Sequence, residues 1–345
     1  MAWRLCLVLL SFALLAAAPA RAADPGSGPC TGEEDAPSCR FSYGQVTFVA
    51  DGDTIDVALP GAGTRRVRLT GINATELTRY SRDPARRRGA CHAVEATARL
   101  EALLERGGGR VRLAAQDPAS VTGGRLRRQV STRIDGSWVD TGRVLVGEGR
   151  ALWLPNGVEY AWNRRYRELS EQAAERRQGL FDADACGRGP APAVQPELEL
   201  RWDAPGDDRL DPNGERARIR NPSPDALDLA GWWLRDSSAR RFVFPAGAVV
   251  PPDGEVTVSV GRGDDDDREF HWGLPAPAFE NASGGPRDMG DGAYLFDPQG
   301  DLRAWTIYPG PGDRLVEWRP RTVLKGIAVA AVLLTAAVSV LRRRA

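Results

Sequence analysis

Lysine is almost missing from this 345-residue chain: 46 basic side chains balance 46 acidic ones, yet Lys325 is the only lysine. Arginine therefore carries nearly every positive charge, a usage that codon bias produces and that also suits a surface meeting phosphates. Histidine occurs twice, at His92 and His271. The cysteines are not spaced as in a zinc site, so a metal cluster built on these residues is not expected. Net charge is also missing, but 42% hydrophobic and 27% charged residues exclude both a wholly disordered chain and a multi-span membrane protein. The length allows two folded units with appendages.

The appendages sit at the ends. Met1 to Ala22 carries one early arginine, an apolar run from Leu5 to Ala18 and the small-x-small site Ala20-Arg21-Ala22, the pattern of a secretory signal. Residues 323–341 carry no charge apart from Lys325 and would span about 28 Å as a helix, close to the thickness of a hydrocarbon core. Arg342, Arg343 and Arg344 follow, which by the positive-inside rule places residues 342–345 in the cytoplasm. The reading is a single-pass protein of the cell membrane with its ectodomain outside.

After Cys6 leaves with the signal, Cys30, Cys39, Cys91 and Cys186 remain, an even number that predicts two disulfides among three possible pairings. The favoured pairs are Cys30 with Cys39 and Cys91 with Cys186. Charge divides along the chain: residues 41–190 sum to about +6 and residues 191–320 to about −10. Arginines gather at 82–88, 125–128 and 164–167, a footprint suited to a polyanion. An acidic second block could dock on this basic first block and compete with such a ligand. Residues 187–196, rich in Gly, Pro and Ala, read as a linker.

Strand signals in the first block cover Gly44–Ala50, Thr54–Ala58, Arg65–Ile72, Arg110–Ala114 and Gln129–Ile134. Helical spacing covers Ala93–Arg106, with Val94, Leu100, Leu103 and Leu104 as its apolar positions, then roughly Trp138–Glu148 and Ala161–Arg177. Five strands and a helix predict a small barrel. The second block shows short strands at Arg216–Arg220, Gly231–Leu234, Arg241–Phe244, Glu255–Val260 and Ala293–Phe296, which predicts a β-sandwich.

Ala50-Asp51-Gly52-Asp53-Thr54 and the run from Arg65 to Glu76 hold the chemistry. Hydrolysis of a phosphodiester requires neutralised phosphoryl oxygens, a hard cation and a base for water. Asp53 and Asn73 offer oxygen ligands together with a local backbone carbonyl. Arg68 can fork onto a phosphate, and Glu76 is the candidate general base. These segments, with Gly124-Arg125 and Gly179-Leu180-Phe181, resemble the thermonuclease (staphylococcal-nuclease-like) family over about residues 41–186. The resemblance implies a five-stranded oligonucleotide-binding-type barrel and a calcium-dependent endonuclease acting on DNA or RNA. It implies Asp53, Asn73 and Ala74 at the metal, Arg68 and Arg125 at the phosphate and Glu76 as base, with Arg127 or Arg128 as alternatives to Arg125. Asn73 stands where the family has aspartate, and Thr75 where it has proline. A nucleic-acid-binding surface module without cleavage, and a structural or adhesive surface protein, are the competing readings.

Asp211-Pro212-Asn213-Gly214-Glu215, Leu229-Ala230-Gly231-Trp232-Trp233-Leu234, Arg241-Phe242-Val243-Phe244-Pro245 and Gly254-Glu255-Val256 resemble the lamin-tail domain over about residues 197–309. That implies an immunoglobulin-like sandwich serving targeting or binding, with no partner specified. Of Trp232 and Trp233, at least one is expected in the core. Asp264 to Asp267 lack the alternating spacing of a calcium loop and read as a solvated turn. Oligomeric state is left open.

Overall fold

The computed structural model describes residues 26–77, 90–187, 189, 194–203, 205–282 and 289–309. The expected signal segment, the arginines at 82–88 and the expected span at 323–341 lie outside the described residues. Among the described residues no helix is long and apolar enough to cross a membrane.

The first unit is built from β1 (Ser27–Pro29), β2 (Ser38–Asp51), β3 (Thr54–Leu59), β4 (Gly63–Leu69), β5 (Ile72–Asn73), α1 (Ala93–Arg106), β6 (Arg110–Ala115), β7 (Val121–Thr122) and β8 (Arg125–Ile134). Then come β9 (Ser137–Asp140), α2 (Thr141–Gly147), β10 (Leu152–Trp153) and α3 (Asn163–Glu175). Strands β2, β3, β4, β8 and β6 pair in that order, and β6 pairs back onto β2, so the hydrogen-bonded path closes on itself. β4 and β8 run parallel; the other pairings of the path are antiparallel. Ile55, Val57, Val67, Leu69, Leu113 and Val130 fill the interior against Leu100 and Leu104 of α1.

Several sequence readings shift. The expected strand Arg65–Ile72 breaks at Gly71, whose φ of +78° turns the chain so that β5 leaves the closed path and pairs with β10. An added Cβ at Gly71 would lie 2.7 Å from the Tyr166 ring. Trp138 belongs to β9 rather than to a helix, because Asp140 caps α2 by accepting from the Arg143 amide at 3.1 Å. Val94, expected on the apolar face of α1, is 55% exposed. Both disulfides pair as favoured, Cys30 with Cys39 and Cys91 with Cys186.

The second unit has β11 (Glu197–Arg201), β12 (Arg216–Arg220), β13 (Leu227–Asp228), β14 (Trp233–Asp236), β15 (Arg241–Val243), β16 (Val249–Val250), β17 (Glu255–Ser259), β18 (Glu269–His271), β19 (Asp291–Phe296) and β20 (Leu302–Tyr308). Two four-stranded sheets, β11-β12-β17-β18 and β15-β14-β19-β20, contribute Ile219, Val256 and Val258 from one side and Leu234, Phe242 and Leu295 from the other to one core. Trp232 is fully buried there, whereas Trp233 is half-buried, stacked on Phe296 and covered by Arg241 at 3.9 Å. Asp266 accepts from the amides of Arg268 and Glu269, both at 2.7 Å, as a turn residue does.

The two units dock through apolar side chains, with an acid–arginine pair, Asp184 and Arg303 at 3.3 Å, beside them. Leu152, Ala173, Ala174, Leu180 and Phe181 share a buried cluster with Tyr294, Phe296 and Leu302, and Phe181 meets Trp305 edge-on at 5.2 Å. The amide of Cys186 donates to Asp301 Oδ1 at 2.7 Å, so the second disulfide is seated against the second unit. Because Phe181 is fully buried at this junction, Phe181→Ala is expected to cost about 3–5 kcal/mol. In urea it should split one unfolding transition into two, and a retained single transition with an unchanged midpoint would contradict the shared core.

Candidate functional site

The turn from β2 to β3 fixes the centre of the site. Asp51 Oδ1 accepts from the Asp53 amide at 3.0 Å, and Gly52 lies so close to α1 that a Cβ would stand 2.7 Å from Ala96 Cβ and 2.8 Å from Ala74 Cβ. This geometry drives the Asp53 side chain inward, where it is 1% exposed. Asp53 Oδ1 accepts from Thr54 Oγ1 at 3.0 Å and lies 2.5 Å from Arg68 Nη1. Asp53 Oδ2 accepts from the Ala74 amide at 2.8 Å.

Burial pushes the Asp53 carboxyl up to about 7; Arg68 pulls it down and Asp51 pushes it further up, but the loss of water wins. Arg68 Nη2 also donates to Asn73 Oδ1 at 3.1 Å. Asn73 in turn donates through Nδ2 to the carbonyl of Ser237, in the second unit, at 2.8 Å. A carboxylate at 73 accepts only and could not make that last bond.

A cleft of about 320 Å³ opens beside this chain of bonds, lined by Arg68, Asn73, Glu76, Arg125, Arg127, Asn156, Ser238 and Ala239 among others. Glu76 is exposed at it. Arg127 stands directly across from Arg68 in the parallel β4–β8 register, so their side chains share a face. Burial depresses the Arg127 guanidinium, the Glu159 charge works against that, and the nearby Arg68 charge lowers it further. Arg128 projects the other way, donating to the carbonyls of Pro118 at 2.6 Å, Arg127 at 2.7 Å and Ser120 at 3.0 Å. It lies outside the cleft lining. Arg125 also lines the cleft, its Nε turned to the Thr122 carbonyl at 3.4 Å.

The expected residues Asp53, Arg68, Asn73, Ala74, Glu76 and Arg125 are thus drawn to one region, Ala74 through its amide. Three contributors had no sequence signal: Asn156, brought in because β10 pairs with β5, and Ser238 and Ala239, which arrive from more than a hundred residues away. Arg127 could have been preferred to Arg125 only by knowing the β4–β8 register. Asp53, Asn73 and Glu76 carry oxygen donors of the kind a hard cation takes; in this structure Asp53 Oδ1 and Asn73 Oδ1 face the Arg68 guanidinium, and Asp53 Oδ2 accepts from the Ala74 amide. Elsewhere, Cys91, His92 and Cys186 come within 4.8 Å of one another, but the two sulfurs are bonded to each other.

Residues 203–310 match the family model described as Lamin Tail Domain. The second unit is a lamin tail domain. No curated protein matches the chain. The lamin tail domain contains Ser237, Ser238 and Ala239, whereas Asp53, Arg68, Asn73, Glu76 and Arg127 lie outside the match. A lamin tail domain is a structural or binding module, and here its 237–239 turn shares the cleft with the first unit.

Because Asp53 holds its proton from the ordinary 3.8 up to about 7, its contribution to stability is full below pH 4 and is lost as pH rises from about 4 to 7. Asp291, raised by burial to about 7, acts with the same sign. Asp53→Asn should therefore flatten the decline between pH 4 and 8 by on the order of 1 kcal/mol per pH unit relative to the parent. Urea titrations across that range check it, and parallel slopes would refute the buried-carboxyl assignment.

Proposed function

We propose that the first unit is a phosphodiester hydrolase of the thermonuclease type, acting on DNA or RNA, with the lamin tail domain as a binding accessory. The observation that carries the reading is the meeting of Arg68, Asn73, Glu76 and Arg127 at one cleft, with Asp53 buried behind Arg68, on a closed five-strand path that suits an oligonucleotide-binding-type barrel. Arg127 would fork onto phosphate oxygens beside Arg68, whose two terminal nitrogens are engaged by Asp53 and Asn73 and whose charge faces the same cleft. Arg125 adds positive charge at the same cleft. Glu76, exposed beside them, is placed to take a proton from water.

Asp53 and Asn73 would hold calcium, with backbone at Ala74, and calcium when bound would supply charge neutralisation at the phosphate. The protein's own part is to hold phosphate between guanidiniums and to present Glu76. A second reading, binding of nucleic acid without cleavage, is favoured by Asn73: replacing carboxylate with amide removes one of the charges that calcium would meet.

We further read the chain as exported and anchored by residues 323–341, since two disulfides suit an oxidising compartment. Protease added to intact cells should then remove the ectodomain, and full protection would oppose this topology.

Purified ectodomain with millimolar calcium is expected to cleave single-stranded and duplex DNA, and a chelator should abolish cleavage. Glu76→Gln is expected to lower kcat by roughly 10²- to 10⁴-fold, the range of general-base loss. Arg127→Ala is expected to weaken oligonucleotide binding more than Arg125→Ala does. Salt-dependent binding with no cleavage at millimolar calcium would leave the binding reading in place.

A further inference from the structure

The lamin tail domain reaches the cleft through the turn between β14 and β15, and that turn is held from every side. The Ser237 amide donates to Asp291 Oδ1 at 3.2 Å, and its hydroxyl accepts from the Gly292 amide at 3.1 Å. Its carbonyl accepts from Asn73 Nδ2 at 2.8 Å and from Arg235 Nη2 at 3.4 Å. Asp236, fully buried, accepts from the Arg240 amide at 2.8 Å and pairs with the Arg240 guanidinium, which also donates to the Pro277 carbonyl at 2.8 Å and to the Ala278 carbonyl.

At the tip of this braced turn the pattern reverses. Ser238 and Ala239 are exposed and line the cleft with Arg68 and Arg127. Ala239 has a φ of +70°, a left-handed conformation that costs a non-glycine residue roughly 1–3 kcal/mol and persists only where its surroundings over-determine it. Stability alone would place glycine there. Nor does the domain interface need this tip, since the apolar cluster around Phe181 and the seat of the second disulfide already join the units. The tip carries no charge, so it can stand beside an anion held by the arginines without repelling it, although the domain around it is acidic.

We propose that Ser238 and Ala239 are ligand-contacting residues of the phosphodiester cleft, a wall that the lamin tail domain supplies and that Asn73 pins to the arginines through Ser237. The proposal rests on the reading of the cleft as a phosphate site. It makes the asparagine at 73 part of the design: its acceptor side holds Arg68 and its donor side holds the wall. A strand whose phosphate lies between Arg68 and Arg127 then passes against the Ser238 hydroxyl. The site as a whole belongs to neither domain alone.

The test measures binding of a short fluorescent single-stranded oligonucleotide to the full ectodomain in chelator, so that cleavage plays no part. Ser238→Trp fills the cleft from the lamin tail side and should weaken binding at least about tenfold, a change of about 1.4 kcal/mol. Ser238→Gly removes only the hydroxyl contact and should weaken binding by less, about threefold. Leu210→Trp, at a site 85% exposed in the same domain and away from the cleft lining, should bind like the parent. All three should keep the parent's unfolding midpoint. Parent-like binding by Ser238→Trp would overturn the wall while leaving the phosphate site standing, provided Arg127→Ala still weakens binding. Binding insensitive to Arg127→Ala, or none by the parent, would overturn both.

Discussion

The first unit turns on a buried carboxylate that its own fold cannot fully neutralise. Asp53 is forced inward because Gly52 brings the β2–β3 turn against α1, and once there it recruits the nearest donors: the Thr54 hydroxyl, the Ala74 amide and the Arg68 guanidinium. Each of those bonds has a structural consequence. The Ala74 amide ties down the chain after β5, Arg68 is drawn back from solvent, and the same guanidinium reaches Asn73. Burial still holds the carboxyl near 7. A group so poorly compensated stabilises the fold weakly and interacts strongly with any cation or anion that enters beside it.

The two arginines of the cleft are held differently. Arg68 is engaged at both terminal nitrogens, by Asp53 and by Asn73, while Arg127 faces it across two paired strands and is held in a low-water setting. Arg128, the next residue, shows the alternative: with its guanidinium turned to three backbone carbonyls, it serves the loop before β8. Strand alternation separates the two roles. The zero net charge of the chain conceals this division, because an arginine-rich first block and a basic C-terminal segment offset an acidic second block in the sum.

Much of this was legible in the sequence, and the gaps have specific causes. Helix α1 matched its expected span of Ala93–Arg106, because apolar spacing and the glycine stop agree there. The closed path was legible from β-branched runs, although strand ends moved by several residues. β13, β16 and β18 are two or three residues long, too short for alternation to register. The turn at Gly71 was hidden inside an apparently continuous strand, since the packing of glycine against Tyr166 is a tertiary fact. Asp53, Arg68 and Glu76 were legible because they lie on adjacent segments. The Arg127 assignment required the parallel β4–β8 register, and Ser237 to Ala239 required the docking of a second domain.

That docking depends on a two-residue strand. β10 carries Leu152 and Trp153, and because neighbours on a strand face opposite ways, Trp153 fills the core of the first unit while Leu152 enters the cluster shared with the lamin tail domain. The same strand pairs Leu152 with Asn73, so the residue that bonds Ser237 is registered against the residue that packs on Phe296 and its neighbours. Displacing the lamin tail domain would therefore act on Asn73 by two routes, through Ser237 directly and through β10. A shift at Asn73 passes to Arg68, which shares its bond, and from Arg68 to Asp53. The lamin tail domain is coupled by contact, through Asn73 and Arg68, to the buried carboxylate, although Ser237 lies 164 positions from Asn73 in the chain.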